Sequence, residues 1–422
     1  MTNCNLRQQL TIYPRPAKKL IEEALTDTPV VSVVGPRQVG KSTLAKAVAP
    51  DRDYLTLDDQ NLLRFAQEDS AGFVQSLPRF VIIDEVQRAP ELMLAIKKSV
   101  DEDRHPGRFL LTGSANLALM EQIQDSLAGR HEPINLYPLT SHELASVHVD
   151  KCFVKGLLEE KINPQINAYS NTLDTLKDAV SRGGYPEPLT RTERRAHRWF
   201  TVYLEDVINR DVKALGDIRN SEALLRILKL CATRTASLLE INALAREAQI
   251  SSETVKSYIA TLEKLFLVRT LPAWSSNLGK RLIKSPKIHL IDSGMLCALC
   301  NINSTDWLTE AKLFGHVIES YTVQQIIAQI SWLEEDIKCY HFRDQKKREV
   351  DLVLEKGRSV WGVEMKRSTT ISDEDFKGLR ILASTAADRW KGGVIFYSGD
   401  HILQTPIPNT FAVPYGALWD GI

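Results

Sequence analysis

The stretch GPRQVGKST, residues 35–43, fits the pattern G-x-x-x-x-G-K-[ST], and its flanks decide how it reads. Before it, TPVVSVV (28–34) is apolar and β-branched, as a buried strand is. After it, LAKAV (44–48) has helical spacing and good helix formers. Strand, glycine-containing loop and helix together aim backbone N–H groups and a helix N-terminus at a phosphate chain. The expected nucleotide-contacting set is Gly35, Pro36, Arg37, Gln38, Val39, Gly40, Lys41, Ser42 and Thr43. Within it Lys41 reaches for the β- and γ-phosphates and Ser42 offers its hydroxyl to a metal, so ATP and Mg²⁺ are the expected cofactors.

A second apolar strand, RFVIIDEV (79–86), ends in adjacent carboxylates. Asp84 is placed to hold Mg²⁺ through water, and Glu85 to orient and deprotonate the attacking water. A third, RFLLTGSAN (108–116), ends in small polar residues, of which Ser114 or Asn116 suits a contact with the γ-phosphate or that water. SLAGR (126–130) then precedes the strand-like HEPINL (131–136). Arg130 fits an arginine that stabilises charge on the transferring phosphoryl group, in cis or from a neighbouring subunit. Glycine followed by a cation is also an ordinary helix ending.

Taken in order, GPRQVGKST, IIDEVQRAP, LLTGSAN and SLAGR resemble the AAA+-type P-loop ATPases of prokaryotes that carry a C-terminal domain of unknown function of the DUF4143 kind. The likeness continues through GGYPE (183–187), YLEDVINRD (203–211), NLGKRLIKSPK (277–287), GHVIES (315–320) and EVDLVLE (349–355), so it spans nearly the whole chain. It implies an α/β P-loop core with a parallel sheet, a helical and winged-helix middle, and a nuclease-like α/β end. It implies no particular substrate.

The 422 residues suffice for two or three domains, and 43% hydrophobic with 25% charged residues is the balance of an ordinary globular protein. No apolar run is long enough to span a membrane and no signal-peptide pattern opens the chain, so a cytoplasmic protein without a membrane partner is expected. Cys297 and Cys300 lie close in MLCALC (295–300), but no second close pair completes a zinc site, and a buried helical turn fits better. Net charge is zero, which argues against a general nucleic-acid coat. Basic clusters at 191–198, 280–287 and 343–348 nevertheless make a nucleic-acid partner, DNA before RNA, an expectation.

EINALAREA (240–248), a turn, and SETVKSYIATLEKLF (252–266) capped by Ser251 or Ser252 read as a helix-turn-helix, with LVRTL (267–271) as a wing strand. Val255, Ile259, Leu262 and Phe266 share one face; Thr254, Lys256, Ser257 and Lys264 would look outward. Further on, YHFR (340–343), EVDLVLE and VWGVEMK (360–366) alternate as half-buried strands, with KGR (356–358) as a turn. Residues 314–330 read as an amphipathic helix with Glu319 near its start. The set Glu319, Asp351, Glu364 and Lys366 is similar to the metal site of PD-(D/E)xK nucleases. In that likeness the three acids hold Mg²⁺ and Lys366 positions the attacking water.

The expected organisation is an ATPase core over 1–150, a helical connector over 151–235, a winged helix and connector over 236–308, and a nuclease-like domain over 309–422. Two functional readings follow. One is ATP hydrolysis coupled to DNA binding or processing. The other is a nucleotide-controlled regulatory switch that binds a protein partner, with an inactive nuclease-like fold. A homo-oligomer is compatible with either, and an arginine acting in trans would require one.

Overall fold

A computed structural model describes residues 13–114, 127–164, 169, 173–214, 220–277, 279, 281 and 284–422. The first sheet holds β1 (Val30–Gly35), β2 (Asp53–Thr56), β3 (Val81–Asp84), β4 (Phe109–Ser114) and β5 (His131–Asn135). All its pairings are parallel, in the order β2-β3-β4-β1-β5. β1, β3 and β4 are buried from end to end, which accounts for their unbroken apolar runs. Parallel pairing puts the C-terminal ends of β1, β3 and β4 on one edge, where the loop, Asp84 and Ser114 meet. β2 is mostly half-buried and carries no motif.

The middle of the chain is helical. Glu193–Ala214 and Ser221–Thr233 lead into Ile241–Ala248 and Ser252–Lys264, followed by β7 (Val268–Leu271). Gln249 turns between the last two helices in the left-handed region at φ 57°, and Ser251 Oγ accepts from Thr254 N at 3.0 Å as the N-cap. The connector expected within 236–308 includes β8 (Lys287–Leu290). β8 is the central strand of an antiparallel three-stranded sheet, between β7 and β6 (Ser237–Leu238).

The C-terminal part is a six-stranded mixed sheet in the order β13-β14-β12-β11-β10-β9. β9 (Ile337–Arg343), β10 (Glu349–Lys356) and β11 (Ser359–Met365) form the expected antiparallel meander, and Gly357 takes the tight turn at φ 57°. β12 (Trp390–Tyr397) and β14 (Thr410–Pro414) continue parallel to β11 after the helix Lys377–Ala386, and β13 (Leu403–Gln404) closes the edge. The helix expected as amphipathic runs over Ala311–Ile330 and is buried on nearly every side, because elements of all three parts of the chain pack around it. It starts earlier than the sequence suggested, so Glu319 falls near its middle. Cys297 and Cys300 are free thiols on the helix Ser293–Cys300.

One apolar cluster runs from Ala17 through the helical middle to Trp419. The joints between parts also carry polar contacts. At one, Ser141 Oγ lies 2.5 Å from the Tyr321 hydroxyl and Ser141 N donates to Gln325 Oε1 at 2.8 Å. At another, Gly184 N donates to Asp292 Oδ2 at 2.7 Å, and a Cβ on Gly184 would lie 2.1 Å from Leu139 O. At a third, Glu355 of β10 accepts from Arg281 at 2.8 and 2.7 Å, from Trp274 Nε1 at 2.8 Å and from Arg389 at 2.6 Å.

Burial alone would raise the Glu355 carboxyl, but the hydrogen bonds and charge of Arg281, with Trp274 and Arg389, outweigh it and hold Glu355 at about 2. An unfolded glutamate titrates near ~4.3. Glu355 therefore stabilises the fold above that value, and the contribution is lost as pH falls toward the folded one. Glu355→Gln should lower Tm at neutral pH, and its gap from the wild-type chain should narrow between pH ~5 and ~2 in thermal melts followed by circular dichroism.

Candidate functional site

The loop after β1 curls over the N-terminus of the helix Lys41–Val48. Gln38 and Gly40 both adopt left-handed conformations, at φ 62° and 100°, and Gly40 is the residue that enters the helix. Lys41 is buried, and its ammonium donates to the carbonyls of Gly35 and Pro36 at 3.0 and 2.7 Å. Those are the loop's own oxygens, so the lysine closes the cradle that a phosphate would enter.

Asp84 is a hub of hydroxyl donors. Ser42 donates to its two oxygens at 2.9 and 3.0 Å, Tyr54 donates at 2.5 Å, and Thr112 donates to Oδ1. Burial and the bond to Asp84 push the Tyr54 phenol above its usual value, which keeps it a donor. Ser42 and Asp84 form a hard-oxygen pair beside the phosphate cradle, the donor set Mg²⁺ prefers.

Glu85 follows in the left-handed region at φ 59°. Its carboxylate accepts from Gln87 Nε2, which also donates to Ser114 Oγ at 2.7 Å, and Ser114 stands 3.4 Å from Glu85. The structure thus gathers Lys41, Ser42, Asp84, Glu85 and Ser114 as the sequence suggested, while Asn116 lies outside the described residues. Sequence reasoning missed Tyr54, Thr112 and Gln87. Thr112 and Gln87 sat inside quoted motifs without being singled out, whereas Tyr54 lies on a strand with no motif to mark it.

Arg130 is at the other end of the sheet. Its carbonyl accepts from Val30 N at the start of β1, and its guanidinium pairs with Asp101 at 2.5 Å. Five strand steps separate Val30 from Gly35, about 16 Å. Within one chain Arg130 is therefore not brought to the loop.

A cleft of about 470 Å³ opens beside the loop. Its far wall comes from the helical middle: Pro186, Glu187, Tyr203, Asp206 and Val207. Tyr203 Oη donates to Arg37 O at 3.4 Å and stacks on Trp199 with ring centroids 5.0 Å apart.

The acids of the C-terminal sheet lie in a second cluster. Asp351 of β10 and Glu364 of β11 are buried neighbours across the hairpin, and Lys366 donates to Glu364 at 2.9 Å. The β9–β10 register shifts between Val350 and Val353, an irregularity of the kind that re-aims a side chain, and Asp351 lies within it. Glu319 approaches from its helix, but a lysine stands between the acids. Lys287 of β8 donates to Glu319 at 2.7 Å and to Asp351 at 3.2 Å. Burial opposes its charge, yet Glu319 and Asp351 more than compensate and hold the ammonium above its usual value. Burial, then the charge on Asp351, pushes the Glu364 carboxyl above its usual range. Among the described residues no three His, Cys, Asp or Glu side chains converge as ligands for a metal. The expected ligand set Glu319, Asp351 and Glu364 is corrected accordingly: these residues do not fit a divalent ion as they stand, because an ammonium bridges two of them. Lys287, placed in a basic surface cluster by its sequence, is buried.

Loop, carboxylate pair and parallel sheet define a P-loop ATPase of the AAA type. Residues 27–145 match a family described as AAA domain, 173–306 a domain of unknown function (DUF8612), and 314–418 a domain of unknown function (DUF4143). "Uncharacterized protein Mb2031c" of Mycobacterium bovis is 30% identical over 408 residues, 96% of this chain and 84% of that one, and "Uncharacterized protein Rv2008c" of Mycobacterium tuberculosis matches equally. The chain belongs to the family of these proteins, and is itself an AAA-type P-loop ATPase with a C-terminal DUF4143 domain. Among solved structures, the Walker-type ATPase PABY2304 of Pyrococcus abyssi aligns at 17% identity over 68% of this chain and 96% of that one, with a TM-score of 0.41. The Holliday junction branch migration motor RuvB of Thermotoga maritima aligns at 19% over 62% and 90%, with a TM-score of 0.32. No helix among the described residues is long and apolar enough to cross a membrane.

Lys41→Ala should abolish ATP binding in calorimetry with an unchanged circular dichroism spectrum. Glu85→Gln should keep ATP binding and lower kcat by roughly 10²–10⁴-fold in a phosphate-release assay, the usual range for losing a general base.

Proposed function

We propose that this chain hydrolyses ATP with Mg²⁺ as a nucleotide-controlled switch whose helical middle reads the state of the loop. The observation that carries this is the shared cleft: Glu187, Tyr203 and Asp206 of the middle face the nucleotide loop of the sheet. A phosphate entering the loop offers Lys41 a better partner than the Gly35 and Pro36 carbonyls, so the ammonium turns to the β- and γ-oxygens. Ser42 and Asp84 would hold Mg²⁺, which neutralises charge on the phosphates. Tyr54 and Thr112 keep Asp84 aimed. Glu85 takes a proton from the attacking water on leaving its contacts with Gln87 and Ser114. Filling the cleft displaces or recruits Tyr203, and the helix Glu193–Ala214 moves with it.

Arg130 completes a site in trans in this reading, because its place at the opposite end of β1 suits a neighbouring subunit. Mixing Lys41→Ala with Arg130→Ala chains, each slow alone, should restore part of the hydrolysis rate. No recovery would remove the trans role and the oligomer it requires.

A DNA partner is the second reading, favoured by one feature: Arg246, Lys256 and Ser257 are exposed on the paired helices 241–248 and 252–264, which with the three-stranded sheet make a winged-helix arrangement. Turnover in Mg²⁺, with and without single- and double-stranded DNA, separates the two. Stimulation that Lys256→Glu removes supports DNA docking; a rate indifferent to DNA leaves the protein-binding switch. Hydrolysis absent from the wild-type chain under all these conditions would overturn the ATPase switch itself.

A further inference from the structure

We propose that the ammonium of Lys287 takes the place of a divalent ion at the acidic cluster of the C-terminal sheet, making that cluster a closed ion-pair latch onto β8. The argument begins with position. The Lys287 ammonium is within 2.7 Å of a Glu319 oxygen and 3.2 Å of an Asp351 oxygen, and the residue is only 2% exposed. An ion held by both acids at about 2.0–2.6 Å would crowd the ammonium that already lies between them, so the two compete for one place. A second positive charge brought beside a buried, charged lysine would also be repelled at low dielectric.

The lysine is not free to leave by a backbone movement. β8 is flanked on both sides, Lys287 standing opposite Leu238 of β6 and Leu271 of β7, so withdrawal would break two ladders. Two residues on, and so on the same face of the strand, His289 Nδ1 lies 2.9 Å from Ser320 Oγ, which is 2.6 Å from Thr235 Oγ1. β8 is thus seated along the helix Ala311–Ile330 by two consecutive inward side chains. Asp351 is tied from its other oxygen, which accepts from Met365 N at 3.0 Å. Each acid has a lysine beside it: Lys287 pairs with Glu319 and Asp351, while Lys366 pairs with Glu364 and lies 3.8 Å from Asp375. Glu319, Asp351 and Glu364 thus each face an ammonium that the chain itself supplies.

The test is Mn²⁺ binding to the full-length, nucleotide-free chain, read by electron paramagnetic resonance, and it is independent of whether the ATPase switch is correct. The wild-type chain should show no Mn²⁺ site that Asp351→Asn removes. Lys287→Ala should open one, with at least a tenfold gain in bound Mn²⁺ at fixed concentration, and adding Asp351→Asn should close it. A Mn²⁺ site in the wild-type chain that Asp351→Asn abolishes would overturn the proposal. So would a Lys287→Ala chain with a native circular dichroism spectrum and no new Mn²⁺ site. Should Lys287→Ala fail to fold, the wild-type comparison with Asp351→Asn decides alone.

Discussion

The parallel placement of β1 between β4 and β5 is the constraint from which the nucleotide site follows. Because all three strands run the same way, their C-terminal ends share an edge, and β3 joins β4 on the far side with Asp84 at its tip. The loop needs that edge. Its glycine-led turn presents N–H groups outward only if the strand delivers it there and the helix Lys41–Val48 starts at once. Everything chemical at the site is then a matter of which side chains end neighbouring strands. Asp84 and Glu85 end β3, Ser114 ends β4, Thr112 lies one step inward on the same face, and Tyr54 reaches in from β2.

Buried polar contacts, set in a largely apolar core, make up the seams between the parts of the chain. Arg15 donates to Val39 O of the loop at 3.0 Å and to Tyr137 O at 2.6 Å, and pairs with buried Glu143 at 2.7 Å. Glu143 closes a capping box on Thr140, whose neighbour Ser141 contacts Tyr321 and Gln325 of the central helix. That helix carries Glu319, which meets Lys287 of the middle sheet. Each joint pairs polar groups in a dry place, where losing one partner costs far more than the pair contributes. Such seams fix how parts sit more than they add stability. The loop is thereby connected, through Arg15 and the 140–143 turn, to the same helix that holds the acidic cluster.

The ATPase half was legible in the sequence because its chemistry is local. A phosphate loop needs residues at fixed spacing, and Asp84 and Glu85 are adjacent, so short strings carry the geometry. Strands β1, β3 and β4 were equally readable, since burial on both faces leaves continuous apolar runs. Tyr54 was not readable. Its role comes from lateral pairing of β2 with β3, and nothing in Asp53–Thr56 announces that neighbour. The helix Ala311–Ile330 failed in another way: it is enclosed by three parts of the chain, so no polar face marks its periodicity or its start.

Lys287 shows how a residue outside a motif can change the chemistry that the motif suggests. Glu319, Asp351, Glu364 and Lys366 do meet, as their alternation and the hairpin suggested, and a reading confined to them predicts a metal. The residue that changes the outcome belongs to a run of lysines and arginines that reads as a solvated surface patch. Its burial depends on β8 being the middle strand of a sheet whose partners lie at 237–238 and 268–271. Charge composition cannot separate a lysine in water from one between two carboxylates, although the two differ completely in what they permit nearby. A cation supplied by the fold satisfies buried acids at any metal concentration and ties their position to the strand that carries it. A domain built this way keeps the outline of a metal site while its acids serve as a socket for β8.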